Sequence, residues 1–271
     1  VVVRQVLYVS ELSTIANAHR LAAGQDALTG LPNRKAFIDR LTEHTITPGS
    51  QPVAVLLADL NGFKEVNDSL GHQCGDDVLA EFAEHLRAVV GTHLPARLGG
   101  DEFAVIVVHD DALEVAGEIA EQLIRITLKQ TPGLEISCSV GIAGLRRGDV
   151  AADVLRRADL AMYHVKRTRG MPIAVFEEGM AATAERRNLL IAQLPGAAER
   201  GELHLVYQPL FQLSHGTLAG AETLLRWTHP LFGVVTPDEF IPLAEESGAI
   251  NEIGAWVLGP RSAQVAAWKG V

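Results

Sequence analysis

The segment Pro52–Leu60, "PVAVLLADL", constrains the fold more than any other part of this chain. It is apolar at every position until Asp59. A strand with one wet face alternates apolar and polar residues, so an unbroken run reads as a strand buried in a sheet. Asp59 then falls near the end of that strand. A lone carboxylate there is costly unless it is paired or binds a cation.

The neighbouring patterns supply partners for this strand. Residues 76–90 place Leu79, Phe82, Ala83, Leu86 and Val90 on one helical face. A hairpin follows at 95–108, with "RLGGDEF" (97–103) at its turn and the apolar "FAVIVV" after it. A second helix carries Leu113, Ala116, Ala120, Leu123, Ile124 and Thr127. "EISCSVGIA" alternates as a half-buried strand. A helix at 150–168 and a short strand "IAVF" (173–176) close the unit. The order predicts an α+β fold: a ferredoxin-like βαββαβ sheet with helices on one face.

The flanks read differently. Residues 1–25 have a weak heptad stripe (Val1, Gln5, Tyr8, Leu12, Ile15, His19, Ala22). It fits either an ordinary amphipathic helix or a short signalling coiled coil. Residues 178–200 are charged and Ala-rich, a linking helix. From 201 to 271 a new α/β rhythm begins, with strands at 203–213 and 222–227 and helices at 237–247 and 250–269. Both chain ends read as cut from a longer protein.

The net charge of −10 argues against nucleic acid and anionic lipid as partners. Two cysteines without a CxxC spacing suit a reducing, cytoplasmic setting. No apolar run approaches the roughly 20 residues of a membrane span.

The acids suggest chemistry. The hairpin brings Asp101 and Glu102 to the sheet edge that ends in Asp59. Three carboxylates converging there suit a hard divalent cation. Asn67 and Asp76, in "NGFKEVNDSLGHQCGDD", offer an amide and a carboxylate able to read a purine edge. Asp76 also reads as a helix N-cap. Lys64, Arg97, Lys166 and Arg169 are candidate phosphate partners.

The blocks "DALTGLPNR", "ADLNGFKEVNDSLGHQCGDDVL", "RLGGDEFAVIV", "SVGIA" and "ADLAMYHVKRTRG" occur in the order seen in GGDEF-domain diguanylate cyclases, which residues 24–177 resemble. The resemblance implies a nucleotide-cyclase, polymerase-palm type of fold. It implies a Mg²⁺- or Mn²⁺-dependent homodimer that joins two GTP into cyclic di-GMP and releases two pyrophosphates. Dimerisation would use the GGDEF domain or the N-terminal helix, under an upstream sensor domain. By motif position, Asp59, the Leu60 carbonyl and Asp101 would hold metal, with Glu102 assisting. Asn67 and Asp76 would read guanine, and Phe63, Lys64 and Lys166 would serve the triphosphate. Gly99 and Gly100 would admit the nucleotide where a Cβ would obstruct it.

Two departures stand out. The family's "GRN" after its lysine is here Arg167-Thr168-Arg169-Gly170-Met171, which puts the Arg169 contact and full activity in question. The inhibitory RxxD positions are Val90 and His93, so no product-inhibition site of that type is expected. A catalytically weak GTP-binding module that regulates a phosphodiesterase is the alternative. Residues 201–271 resemble the start of an EAL-domain cyclic di-GMP phosphodiesterase, with Glu222 as a metal ligand and Gln208 and Arg226 toward substrate. A barrel of that type needs about 250 residues. The segment is therefore expected to be a partial (β/α) barrel of two strands, without phosphodiesterase activity and with exposed apolar surface.

Overall fold

The computed structural model describes residues 24–47, 49, 51–126, 136–168 and 170–268. The heptad-patterned helix, Thr127 and Arg169 lie outside the described residues, apart from Gly24 and Gln25 at the helix's end. The chain divides into two compact units that part between Ala181 and Ala182.

The first unit is built on β1 (Val53–Asn61), the buried strand anticipated above. Helix α1 (Arg34–Ile46) precedes it, capped by the Asn33 side chain, which accepts from the Ala36 amide. After β1 come α2 (Phe63–Leu70), α3 (His72–Val90), β2 (Leu94–Gly99), β3 (Glu102–Val108) and α4 (Ala112–Ile124). Then follow β4 (Ser137–Gly144), α5 (Ala151–Arg167) and β5 (Ile173–Val175). The strand order is β2-β3-β1-β4-β5. Its first four strands are antiparallel throughout, the ferredoxin-like arrangement, and β5 adds parallel to β4.

Helices cover both faces of this sheet, not one. Ala54, Leu56, Ala58 and Leu60 of β1 pack with Val78, Leu79, Phe82 and Leu86 of α3 and with Ala116 and Ile119 of α4. Val53, Val55 and Leu57 point the other way, to Phe37 and Leu41 of α1 and to Val154, Ala158 and Met162 of α5. This is why β1 is apolar at successive positions: strand side chains alternate faces, and here neither face meets water. Helix α5 lies so close to β4 that a Cβ on Gly141 would come 2.1 Å from the Ala158 carbonyl oxygen.

Two local readings are corrected. The helix expected from 76 starts at His72, so Asp76 is inside its second turn and caps nothing. A separate helix, α2, not expected from the sequence, occupies 63–70; Phe63, Val66 and Leu70 give it a helical period, but over little more than two turns.

The second unit contains the end of α6 (Glu178–Gln193), then β6 (Leu203–Phe211), β7 (Leu218–His229), β8 (Gly233–Val235), α7 (Pro237–Ser247) and α8 (Ile250–Trp268). Leu190, Leu194, Leu203, Trp227, Phe240 and Leu243 form its core. The helix read as a linker thus gives Leu190 to that core. The sheet is an antiparallel meander, β6-β7-β8, with one more strand than expected. Leu210, Phe211, Leu213 and Leu218 are exposed, as a barrel fragment predicts.

Candidate functional site

The pairing of β1 with β3 sets Asp59 directly opposite Glu102, and its pairing with β4 sets Asp59 opposite Ser139. Asp59 is 9% exposed. Its neighbours on the strand face away, because Ala58 and Leu60 belong to the core on the α3 side. Asp101 stands in the two-residue turn between β2 and β3, and its carbonyl accepts from the Leu60 amide at 3.3 Å. Asp59, Leu60, Asp101 and Glu102 are therefore gathered at one end of the sheet.

The turn is shaped by its glycines. Gly99 has φ of 142° and Gly100 of 54°, and β2 changes register between Arg97 and Gly99. Side-chain-bearing residues resist such angles. A Cβ at either glycine would meet no atom of the chain within 4 Å. The glycines therefore answer first to backbone conformation, and the open space beside them is where a ligand would come close. Phe103 locks the turn from inside; it is fully buried, with its ring centroid 4.7 Å from that of Phe82.

Arg97 is committed to the fold, contrary to its reading as a phosphate partner. Its Nε and Nη2 donate to the Gly100 carbonyl at 3.0 and 2.8 Å. Its Nη1 pairs with Asp26 at 3.0 Å. Asp26 also accepts from the Thr29 amide and hydroxyl, closing the loop ahead of α1.

The electrostatics are those of a site short of positive charge. Burial, and then the neighbouring Asp59 charge, push the Asp101 and Glu102 carboxyls above the usual carboxylate range. Lys166, at the end of α5, places Nζ 2.8 Å from Asp59 Oδ2. Among the described residues no three His, Cys, Asp or Glu side chains are gathered tightly enough to hold a cation as they stand. The donors still fit Mg²⁺ or Mn²⁺ by type: hard oxygens, mutually repelling, at a partly buried edge. Holding the metal would require the carboxylates to turn toward it and Lys166 to release Asp59.

Asn67 and Asp76, the pair expected to read a purine, lie on α2 and α3, which pack on the face of β1 that carries Ala58 and Leu60. Asn67 is half-buried and its Oδ1 sits against Gly75; a Cβ there would come within 2.1 Å. Phe63 is half-buried beside the same glycine, and Lys64 and Asp76 are exposed. In the second unit, Gln208 and Glu222 are direct cross-strand partners and both are exposed. Arg226 lies further along β7, opposite His204, with Nη1 donating to the Leu225 carbonyl.

Sequence reasoning missed the roles of Asp26 and Arg97 in fixing the turn. It also missed the cluster in which Asn61 bonds the hydroxyls of Ser137 and Ser139 beside Asp59. The signal for the first was the acid in "DALTGLPNR", legible only once that loop is seen to dock on β2.

A palm-type sheet with acids at the end of its central strand and on a glycine turn is the arrangement of the nucleotide-cyclase and polymerase-palm class. The family model for the GGDEF domain of diguanylate cyclases matches residues 23–172, and the chain belongs to that family. A model of the EAL domain matches residues 191–271. The chain is 39% identical over 268 residues to the bifunctional diguanylate cyclase/cyclic di-GMP phosphodiesterase MucR of Pseudomonas aeruginosa, covering 94% of this chain and 39% of MucR. It therefore spans about two fifths of that relative's length. Among solved structures, the coiled coil and GGDEF domain of DgcB from Caulobacter crescentus, in complex with c-di-GMP, covers 64% of this chain and 96% of its own. The TM-score is 0.57 at 30% identity. The isolated GGDEF domain of PA1120 from P. aeruginosa covers 59% of this chain and 99% of its own, with TM-score 0.53 and 36% identity. No helix among the described residues is long and apolar enough to cross a membrane.

Proposed function

We propose that residues 26–177 are a diguanylate cyclase domain, active as a homodimer, that condenses two GTP into cyclic di-GMP and two pyrophosphates. The observation that carries this is the buried Asp59 aligned with Glu102 and beside the Asp101 turn. The 3′-oxygen of one GTP forms a bond to the α-phosphorus of the other. The α–β phosphoanhydride bond breaks, and pyrophosphate leaves. A second such step closes the ring.

In this reading Asp59, Asp101 and the Leu60 carbonyl hold Mg²⁺ or Mn²⁺, which supplies charge neutralisation at the phosphates. Glu102, raised toward proton affinity by burial and by Asp59, takes the 3′-hydroxyl proton. Asn67 and Asp76 bind the guanine edge, Lys64 and the Phe63 backbone position the triphosphate, and Lys166 exchanges Asp59 for a phosphate oxygen. Arg169, next to the transposed glycine, is assigned a lesser phosphate contact. Two copies are required because each brings one nucleotide, and holding both in register supplies the reaction geometry. Val90 and His93 lack the charges of an RxxD inhibitory site. The setting proposed is the cytoplasm, with an upstream sensor domain in the full-length protein.

Residues 191–271 by themselves are proposed to lack phosphodiesterase activity. A barrel of the TIM type needs about 250 residues, and Glu222, with Gln208 opposite it, lies in a three-stranded meander.

The test is incubation with GTP and Mg²⁺ and chromatographic separation of products, alongside Asp101→Asn. Cyclic di-GMP from the parent and none from the variant supports the cyclase. GTP bound without turnover supports the second reading, a regulatory GTP-binding module, which the altered "KRTRG" segment favours.

A further inference from the structure

The guanine-reading residues Asn67 and Asp76 belong to helices that cover one face of the sheet. The opposite face holds a cavity of about 390 Å³ between α1 and α5, within the size range of small-molecule sites. Its wall is apolar where Leu57 of β1 and Leu98 of β2 contribute. Its polar lining is two guanidiniums and two carboxylates: Arg34, Arg156, Glu102 and Asp159. Arg34, Arg156 and Asp159 are exposed, and Glu102 is half-buried. Among the described residues, Arg34, Arg156 and Asp159 make no side-chain hydrogen bond and no ion pair within 4 Å. Elsewhere in this unit the arginines that meet acids do close such pairs, as Arg157 does with Asp149 and Arg97 with Asp26.

An apolar wall of Leu57, Leu98 and Leu155 beside guanidinium donors and carboxylate acceptors suits a planar group with both kinds of edge. Guanine has N1–H and N2–H₂ to donate to a carboxylate, and O6 and N7 to accept an arginine fork. Adenine lacks the paired donors. We infer that this cavity binds the guanine base of a nucleotide, at a site separate from Asn67 and Asp76. The base has two sources, a guanosine mononucleotide or the cyclic dinucleotide. Glu102 lines both this cavity and the acidic edge, so an occupant here bears directly on the edge where the cyclisation is proposed. The inference rests on the proposed function only in taking Asp76 as the reader of the first guanine.

The experiment is calorimetric titration of the full chain carrying Asp76→Asn, without added metal, with GMP, cyclic di-GMP and AMP in turn. The expected result is one guanine site per chain, with AMP at least tenfold weaker. Adding Arg156→Ala and Asp159→Asn, both at exposed positions and with the fold checked by circular dichroism, is expected to weaken that site at least tenfold. GMP binding alone assigns the site to mononucleotide, and cyclic di-GMP binding alone assigns it to product. Absence of guanine binding in the Asp76→Asn chain overturns the inference, as does binding that survives the added pair of substitutions. The Asp76 reading fails separately. In a chain with only Arg156→Ala and Asp159→Asn, GMP binding that Asp76→Asn does not reduce rejects it.

Discussion

Lys166 Nζ sits 2.8 Å from Asp59 Oδ2, joining the end of α5 to the end of β1 across 107 residues of chain. The lysine is partly exposed and the aspartate nearly buried, so the cation acts as a counter-ion at the mouth of an acidic site. In the proposed reading, a divalent metal and this ammonium would compete for the same oxygen.

Replacing Lys166 by Met removes that competitor. Mn²⁺ binding without nucleotide, followed by electron paramagnetic resonance, is expected to tighten about fivefold, the equivalent of about 1 kcal/mol for a solvent-screened pair. Cyclic di-GMP formation is expected to fall at least tenfold. Unchanged or weaker Mn²⁺ binding would show that the pair does not gate the metal.

Arg97 ties Asp26 to the carbonyl of Gly100, and so positions the acidic turn. Arg97→Ala should destabilise the unit by about 2–3 kcal/mol, since it leaves partly buried Asp26 with the Thr29 bonds alone and removes two donors from the Gly100 carbonyl. Arg97→Lys keeps the charge opposite Asp26 but loses the fork. Thermal melts should show the lysine variant recovering most of the stability while its turnover stays low. Full recovery of turnover by lysine would reject the positioning role.

Gly75 leaves room for Asn67. A Cβ there would press on Asn67 Oδ1, the free end of a side chain, and on the Phe63 ring at 3.3 Å. Gly75→Ala improves helix propensity by about 1 kcal/mol, so stability should hold or rise. GTP affinity should nonetheless drop about tenfold because the amide is displaced. A variant that binds GTP as tightly as the parent would remove Asn67 from the guanine site.

Arg157 and Asp149 form a nearly buried pair, and Arg157 also donates to the Gly144 carbonyl at 3.0 Å. The hydrogen bond from Arg157 holds the Asp149 carboxyl below its ordinary value. A depressed folded-state value means the stabilisation is present above the unfolded value of about 3.9 and is lost as pH falls through the lower folded value. Asp149→Ala is expected to cost about 3 kcal/mol at pH 7, with the gap to the parent closing below about pH 4. Urea melts at several pH values test this; a gap independent of pH would assign the loss to packing.

Much of the fold was legible because it is written locally. The run at 53–60 declares burial, and Gly99-Gly100 declares a turn with positive φ. The alternation at 136–142 misleads: β4 is buried at every position from Cys138 to Ala143, because it lies inside the sheet between β1 and β5. The short helix at 63–70 escaped because its period, Phe63, Val66 and Leu70, runs for little more than two turns between Gly62 and Gly71. Asp59, Asp101 and Glu102 were identifiable because acids beside apolar runs violate the local rule.

The sequence by itself determined most strands and helices of the first unit, though not the helix at 63–70, and that three acids fall at strand ends and a glycine turn. Tertiary structure alone decided that helices cover both faces of the sheet and that Glu102 stands opposite Asp59. It also decided that Lys166 answers Asp59, and that Arg97 serves Asp26 and Gly100 instead of a phosphate. The reason is physical. Burial and turn preferences act over a few residues and leave a pattern in the chain, whereas the partner of a charge is chosen by register and helix placement, which no local pattern encodes.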